Sequence, residues 1–181
     1  MIKKLLILPV ILLIAILTAS LFGILHDQIT YTISPEYYTR FKFSQFGLPL
    51  LNPDEARNLV AITGIIATWW VGLILGLFFG LTSLASCLNW IVMLRMSFKA
   101  MLLTITITCF AACLGYLYGK FILIRSDKMM NIYDVEDFES FIIVGSIHTA
   151  SYIGGFIGLI AGNVLILLNK RKTTHVPKQY Q

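Results

Sequence analysis

Charge is scarce in this chain: Asp, Glu, Lys and Arg make up 13% of its 181 residues, while 57% are apolar. An ordinary soluble domain carries about a quarter charged residues, so with a mean hydropathy of +0.82 a soluble fold is excluded. Cysteine is sparse too. Cys87, Cys109 and Cys113 all fall within or at the ends of apolar runs, where a disulfide is not expected. Cys109 and Cys113, four apart, share a helix face and suit packing as small hydrophobes better than a redox centre. HExxH, paired CxxC and Glu-x-x-His are all missing, so no metal motif of recognised spacing is present and no cofactor is evident.

What charge there is leaves four uncharged intervals, at residues 5–26, 58–94, 100–119 and 140–169. Each reaches the ~20 residues a helix needs to cross a bilayer. The fold expected is an all-α integral membrane protein with four transmembrane helices at about 5–25, 58–86, 100–123 and 140–168. Outer connections would run over 26–57 and 124–139, and a basic tail over 170–181. Short cytoplasmic loops retain Lys and Arg. With both termini inside, Lys3, Lys4, Arg95, Lys99, Lys170, Arg171, Lys172 and Lys178 lie in the cytoplasm, and all nine acids lie outside with the other six bases. The net charge of +5 therefore reads as topology and contact with anionic lipid, with no nucleic-acid partner.

The first apolar run follows a basic MIKK start and ends near small residues at Thr18–Ser20, as a signal peptide would. Its length exceeds the ~7–15 residues of a signal h-region, so a retained span is expected. Asn52-Pro53-Asp54-Glu55 has the cap residue, proline and early acids of a helix start. Residues 87–99 read as a short cytoplasmic turn and 126–139 as an acidic loop. Small residues recur every fourth position at Gly64, Thr68, Gly72, Gly76 and Gly80, and again at Ser146, Ala150, Gly154, Gly158 and Gly162. Such ridges let helix backbones approach closely in lipid. The two ridges superpose at an offset of 82 residues (146 minus 64), which suggests two repeated helical hairpins.

The unequal part of that pattern is the first outer connection. Residues 28–33, QITYTI, alternate as a short extended segment would. Ser34 and Pro35 then form an N-cap and first helical residue, with Glu36 at the positive end of the dipole and Gly47 as a left-handed stop. At 100° per residue, Tyr37, Tyr38 and Phe41 fall on one arc of this short helix and Phe43 and Phe46 on the opposite one. One arc is expected against the bundle and the other toward headgroups or a partner. Tyr31, Tyr37, Tyr38, Phe41, Phe43 and Phe46 are thus the partner-binding candidates.

Four ionisable residues form a candidate polar site near the outer surface: His26, Asp27, Glu36 and His148. His148 places an imidazole, the side chain that ordinarily changes charge near neutral pH, inside a span, where such groups are rare and are functional candidates. Imidazole with carboxylate can bind zinc or iron or transfer protons. Counted from the expected span ends, His148 lies deeper than His26, so a shared site needs a tilted helix or a recessed loop.

The string HDQITYTISPEYYTRFKF resembles the outer loop of a family of small bacterial multi-span membrane proteins. The resemblance covers this loop alone and implies no activity and no functional residue. The expectation is therefore a non-enzymatic binding or assembly component of a bacterial inner membrane, acting through residues 26–57 with a homo-oligomeric or membrane-protein partner. A small transporter or channel, and a membrane-embedded metal protein or enzyme, are the alternatives.

Overall fold

The structure, a computed structural model, describes residues 2–50, 52–87, 89–125 and 135–174. Helix α1 (Ile2–Leu6) leads through Ile7 into α2 (Leu8–Ile33). A π-helical segment (Tyr37–Lys42) and the single turn α3 (Phe43–Gln45) follow. The long helices α4 (Ala56–Ser86), α5 (Trp90–Tyr118) and α6 (Phe138–Thr174) complete the bundle. Four helical stretches, Ile2–Ile33, Pro53–Ser86, Trp90–Leu123 and Phe138–Asn169, are long and apolar enough to cross a membrane, as the uncharged intervals imply. Their surface agrees with that setting. Leu13, Leu17, Leu21, Leu25 and Ile29 form an exposed apolar ridge along α2, which is stable only against lipid.

Helix ends follow local chemistry. The Asn52 side chain accepts the Asp54 amide at 3.1 Å, so the Asn-Pro-Asp-Glu start forms as expected. Asn89 accepts the amides of Ile91 and Val92 and starts α5 at Trp90. Most of the expected turn over 87–99 is therefore helix, and Arg95 and Lys99 lie on it. Lys4 Nζ donates to the carbonyls of Leu84 and Cys87 at 2.7 and 2.9 Å, supplying donors to the end of α4 where carbonyls lack helical partners. The basic tail is helical as far as Thr174. Residues 126–134 of the acidic loop and 175–181 of the tail lie outside the described residues.

Helix α2 packs chiefly on α4, and α5 on α6. The glycine ridges line these two seams. A Cβ on Gly64 would stand 2.6 Å from the Gly23 backbone and one on Gly72 2.5 Å from the Ala15 carbonyl oxygen, while on Gly154 and Gly158 it would meet Ala111 and Thr104 at 2.7 Å. Gly76 and Gly80 face Ala15 and Leu8, and Gly162 faces Phe79. All seven ridge glycines thus pack, and most of them sit where a methyl group has no room. Contact between the two hairpins is sparser. An apolar core at one end, around Phe79, Met93 and Met96, and another at the other end, around Tyr38, Val60 and Val144, bracket it. Cys87 is buried, whereas Cys109 and Cys113 are exposed on the lipid-facing side of α5, so that pair does not serve packing within the bundle.

The first connection departs most from expectation. Residues 28–33 are helical and belong to α2. The Thr30 and Thr32 hydroxyls bond back to the carbonyls of His26 and Gln28, so these threonines serve the helix they were expected to leave. The chain breaks at Ser34, whose extended backbone and hydroxyl, accepting the Tyr37 amide at 3.3 Å, begin the cap. Gly47, at φ +64°, ends it. Within the cap the Phe43 amide donates to the Tyr38 carbonyl, an i→i+5 bond that brings residues five apart onto one face. The arcs computed for 100° per residue therefore do not apply. Tyr37, Tyr38 and Phe43 are all buried against the protein's own helices, and the only candidates left partly exposed are Tyr31, Phe41 and Phe46.

Candidate functional site

His26, Asp27 and His148 each offer a ligand atom, and these atoms lie within 4.8 Å of one another. The extra length of α2 is what brings them level. His26 sits seven residues before Ile33 and His148 ten residues after Phe138, or roughly 10 and 15 Å from their helix ends at 1.5 Å per residue. Neither a tilted helix nor a recessed loop is needed. Leu25 and Ile29, on either side of this level, face outward and are 57% and 65% exposed, so the cluster lies at a depth where the protein presents apolar surface.

Each histidine is oriented by a neighbour. His26 Nδ1 lies 3.1 Å from Asp27 Oδ1, and its Nε2 lies 3.1 Å from Ser151 Oγ. The Tyr38 hydroxyl lies 2.6 Å from Thr30 Oγ1. His148 Nε2 lies 3.4 Å from the same Tyr38 oxygen. The Tyr37 ring stacks on His148 at 5.1 Å and 12°, and the two histidine rings meet edge-on at 4.7 Å. The cap thus roofs the cluster with Tyr37 and Tyr38. Burial, followed by the nearby Asp27 carboxylate, raises the Tyr38 hydroxyl's pKa, so it remains a neutral donor.

Asp27 is 4% exposed, and its Oδ2 has no hydrogen-bond partner among the described residues. A buried carboxylate oxygen without a donor is costly. Lys42, itself 4% exposed, interacts with that carboxylate electrostatically. Burial lowers its pKa and the Asp27 charge opposes that shift, while its ammonium lies 5.5 Å from the Phe46 ring centroid.

Of the four residues expected in the polar site, the structure brings three together. Glu36 lies apart, accepting the amides of Glu136 and Asp137 at 3.0 and 2.8 Å. It ties the cap to the start of α6 instead of capping its own short helix. The same contacts lower its pKa, the Glu136 amide most. Sequence reasoning did not single out Lys42 or Ser151, and it placed Tyr38 among the partner-binding candidates. A spacing rule could have found none of these, because each role depends on the chain reversal at Ser34 and the meeting of α2 with α6.

Fold and site together define an all-helical, four-span membrane protein with a recessed His–Asp–His cluster under an aromatic cap. No protein-family model, curated protein or solved structure matches the chain.

Proposed function

We propose that the protein is a membrane-embedded metal protein whose centre is His26, Asp27 and His148, set toward the outer face of a bacterial inner membrane with both termini cytoplasmic. One observation carries the metal reading: three lone-pair donors converge in a buried site where the Asp27 Oδ2 atom has no partner. His26 and His148 each offer one ring nitrogen beside that carboxylate. A cation satisfies these and the carboxylate at once. A hydroxyl on the other nitrogen of a ligating histidine, as Tyr38 is on His148 Nε2, is the usual outer-shell arrangement.

Two imidazoles and a carboxylate suit Zn²⁺ or Fe²⁺ and leave coordination positions open. Bonds of roughly 2.0–2.2 Å hold tetrahedral ligand atoms about 3.4 Å apart, so loading draws the widest pair, now within 4.8 Å, together by side-chain rotation. The topology is supported by the basic residues, eight of which fall on one side without an acid.

The line Ser151 Oγ, His26 Nε2, His26 Nδ1, Asp27 Oδ1 also has the atom order of a nucleophile–base–acid relay. Two facts favour the metal over it. The Ser151 hydroxyl donates to the Ile147 carbonyl at 2.8 Å, and a serine in the middle of a helix has no free amides beside it for an oxyanion. An outer loop that binds a partner is favoured less, since Tyr37, Tyr38 and Phe43 are covered by their own chain.

The test is metal analysis of protein purified without chelator and then loaded with Zn²⁺ or Fe²⁺. One ion per chain is expected, with at least tenfold loss of affinity in Asp27→Asn and His148→Ala and none in Glu36→Gln. Wild-type protein that takes up neither ion refutes the reading.

A further inference from the structure

Beneath the cluster, a cavity of about 390 Å³ lies between the two hairpins and draws its walls from α2, α4, α5 and α6. That volume falls within the roughly 300–1,000 Å³ of small-molecule pockets. It runs from His26 and His148 at the cap end to Ala15 and Leu159 at the other. Eleven residues separate the ends along each helix (26 minus 15, and 159 minus 148), or about 16 Å. Its lining is largely apolar, with the hydroxyls of Thr68, Thr104 and Thr108 turned to carbonyls of their own helices, and the ionisable residues His26, Asp27 and His148 stand at the cap end.

Gly155 distinguishes this space from the seams. A Cβ there meets only Thr108 Oγ1, at 3.9 Å, whereas one at neighbouring Gly154 meets Ala111 at 2.7 Å. Gly154 is small so that helices can touch; Gly155 is small beside open space. On the lipid side the lining residues Trp70, Tyr152 and Phe156 are 47%, 53% and 65% exposed, so an occupant can enter sideways from the bilayer.

We propose that this slot seats one acyl chain of about a dozen carbons, the number that ~16 Å allows at roughly 1.2 Å per bond, with its carboxylate or acyl carbonyl at the open coordination position of the His26–Asp27–His148 centre. This rests on the metal reading. A divalent ion with one aspartate carries a net single positive charge, which favours an oxygen-bearing, anionic head. The largely apolar walls below favour a hydrocarbon chain.

A bromine-labelled dodecanoate tests this by quenching Trp70 in full-length protein carrying Trp69→Phe and Trp90→Phe, reconstituted in nanodiscs, with metal content measured on the same samples. Saturable quenching is expected, weakened at least tenfold by removal of the ion. Gly155→Leu should abolish it while leaving metal content unchanged. A lysolipid carrying the same brominated chain forms the second arm. Quenching by the acid alone assigns a free fatty acid, and quenching by both assigns an acyl carbonyl from either source. Absence of quenching in metal-loaded protein, or quenching that survives Gly155→Leu or metal removal, overturns the inference. Absence of metal from the wild type instead overturns the reading beneath it.

Discussion

Two glycines, one in a helix seam and one beside open space, should respond to the same methyl group in opposite directions. At Gly64 an added Cβ falls 2.6 Å from the Gly23 carbonyl carbon and oxygen and 2.8 Å from the Ile24 nitrogen. All three are backbone atoms and cannot rotate away. Ordinary contact begins near 3.4 Å, so α2 and α4 must part by about 0.8 Å (3.4 minus 2.6), loosening the contacts at Gly72 and Gly76 as well. Overpacking of this kind costs about 1–3 kcal/mol, offset in part by the ~1 kcal/mol advantage of Ala over Gly in a helix. At Gly155 the added carbon meets nothing closer than 3.9 Å, so Ala should stabilise by about 0.5–1 kcal/mol. The gap between Gly64→Ala and Gly155→Ala should therefore be about 2 kcal/mol, or roughly thirtyfold in the folding equilibrium. Reversible unfolding in mixed micelles with increasing SDS, followed by circular dichroism, measures both variants against the wild type. Equal stabilities, or a more stable Gly64→Ala, would refute the assignment of one glycine to a seam and the other to a slot.

Glu36 makes the cap sensitive to acid. Its folded pKa lies below the ordinary 4.5 because the Glu136 and Asp137 amides favour the carboxylate. Its contribution is thus complete above that value and is lost as pH falls through the lowered one. Hydrogen exchange over residues 34–47 should accelerate across that window in the wild type, and Glu36→Gln should show fast exchange with little pH dependence beyond the intrinsic rate. The hairpins are also tied by Thr82, whose hydroxyl donates to Asn163 Oδ1 at 2.6 Å. A double-mutant cycle with Thr82→Ala and Asn163→Ala should give a coupling of about 0.6–1.7 kcal/mol, and a coupling of zero would remove this bond from the list of contacts joining α4 to α6.

The spans were legible because a bilayer imposes a length on uncharged sequence, and the glycine ridges because close helix approach requires small residues at a fixed period. Helix ends were legible where a side chain announces them, as Asn52 and Ser34 do. Residues 28–33 were misread for a physical reason. Alternating Thr and Ile suit a strand in isolation, but intrinsic preferences yield to context. Here the Thr30 and Thr32 hydroxyls bond back to their own helix, and Thr30 meets Tyr38 besides. That error shifted His26 outward by two turns and made it look too shallow to meet His148. By their rarity in an apolar chain the sequence did pick out the three residues that the fold brings together. It could not show that Glu36 belongs to α6, because the two meet across 100 residues of chain.

The centre draws His26 and Asp27 from the first half of the chain and His148 from the last helix. A ribosome feeding this protein into a membrane therefore releases the carboxylate and its cap long before the second imidazole exists. Completion of the cluster requires that α6 has been made and that the halves have found each other. Divided at the short link between α4 and α5 and made as two separate polypeptides, the protein would become a complementation pair, with neither fragment able to build the centre alone.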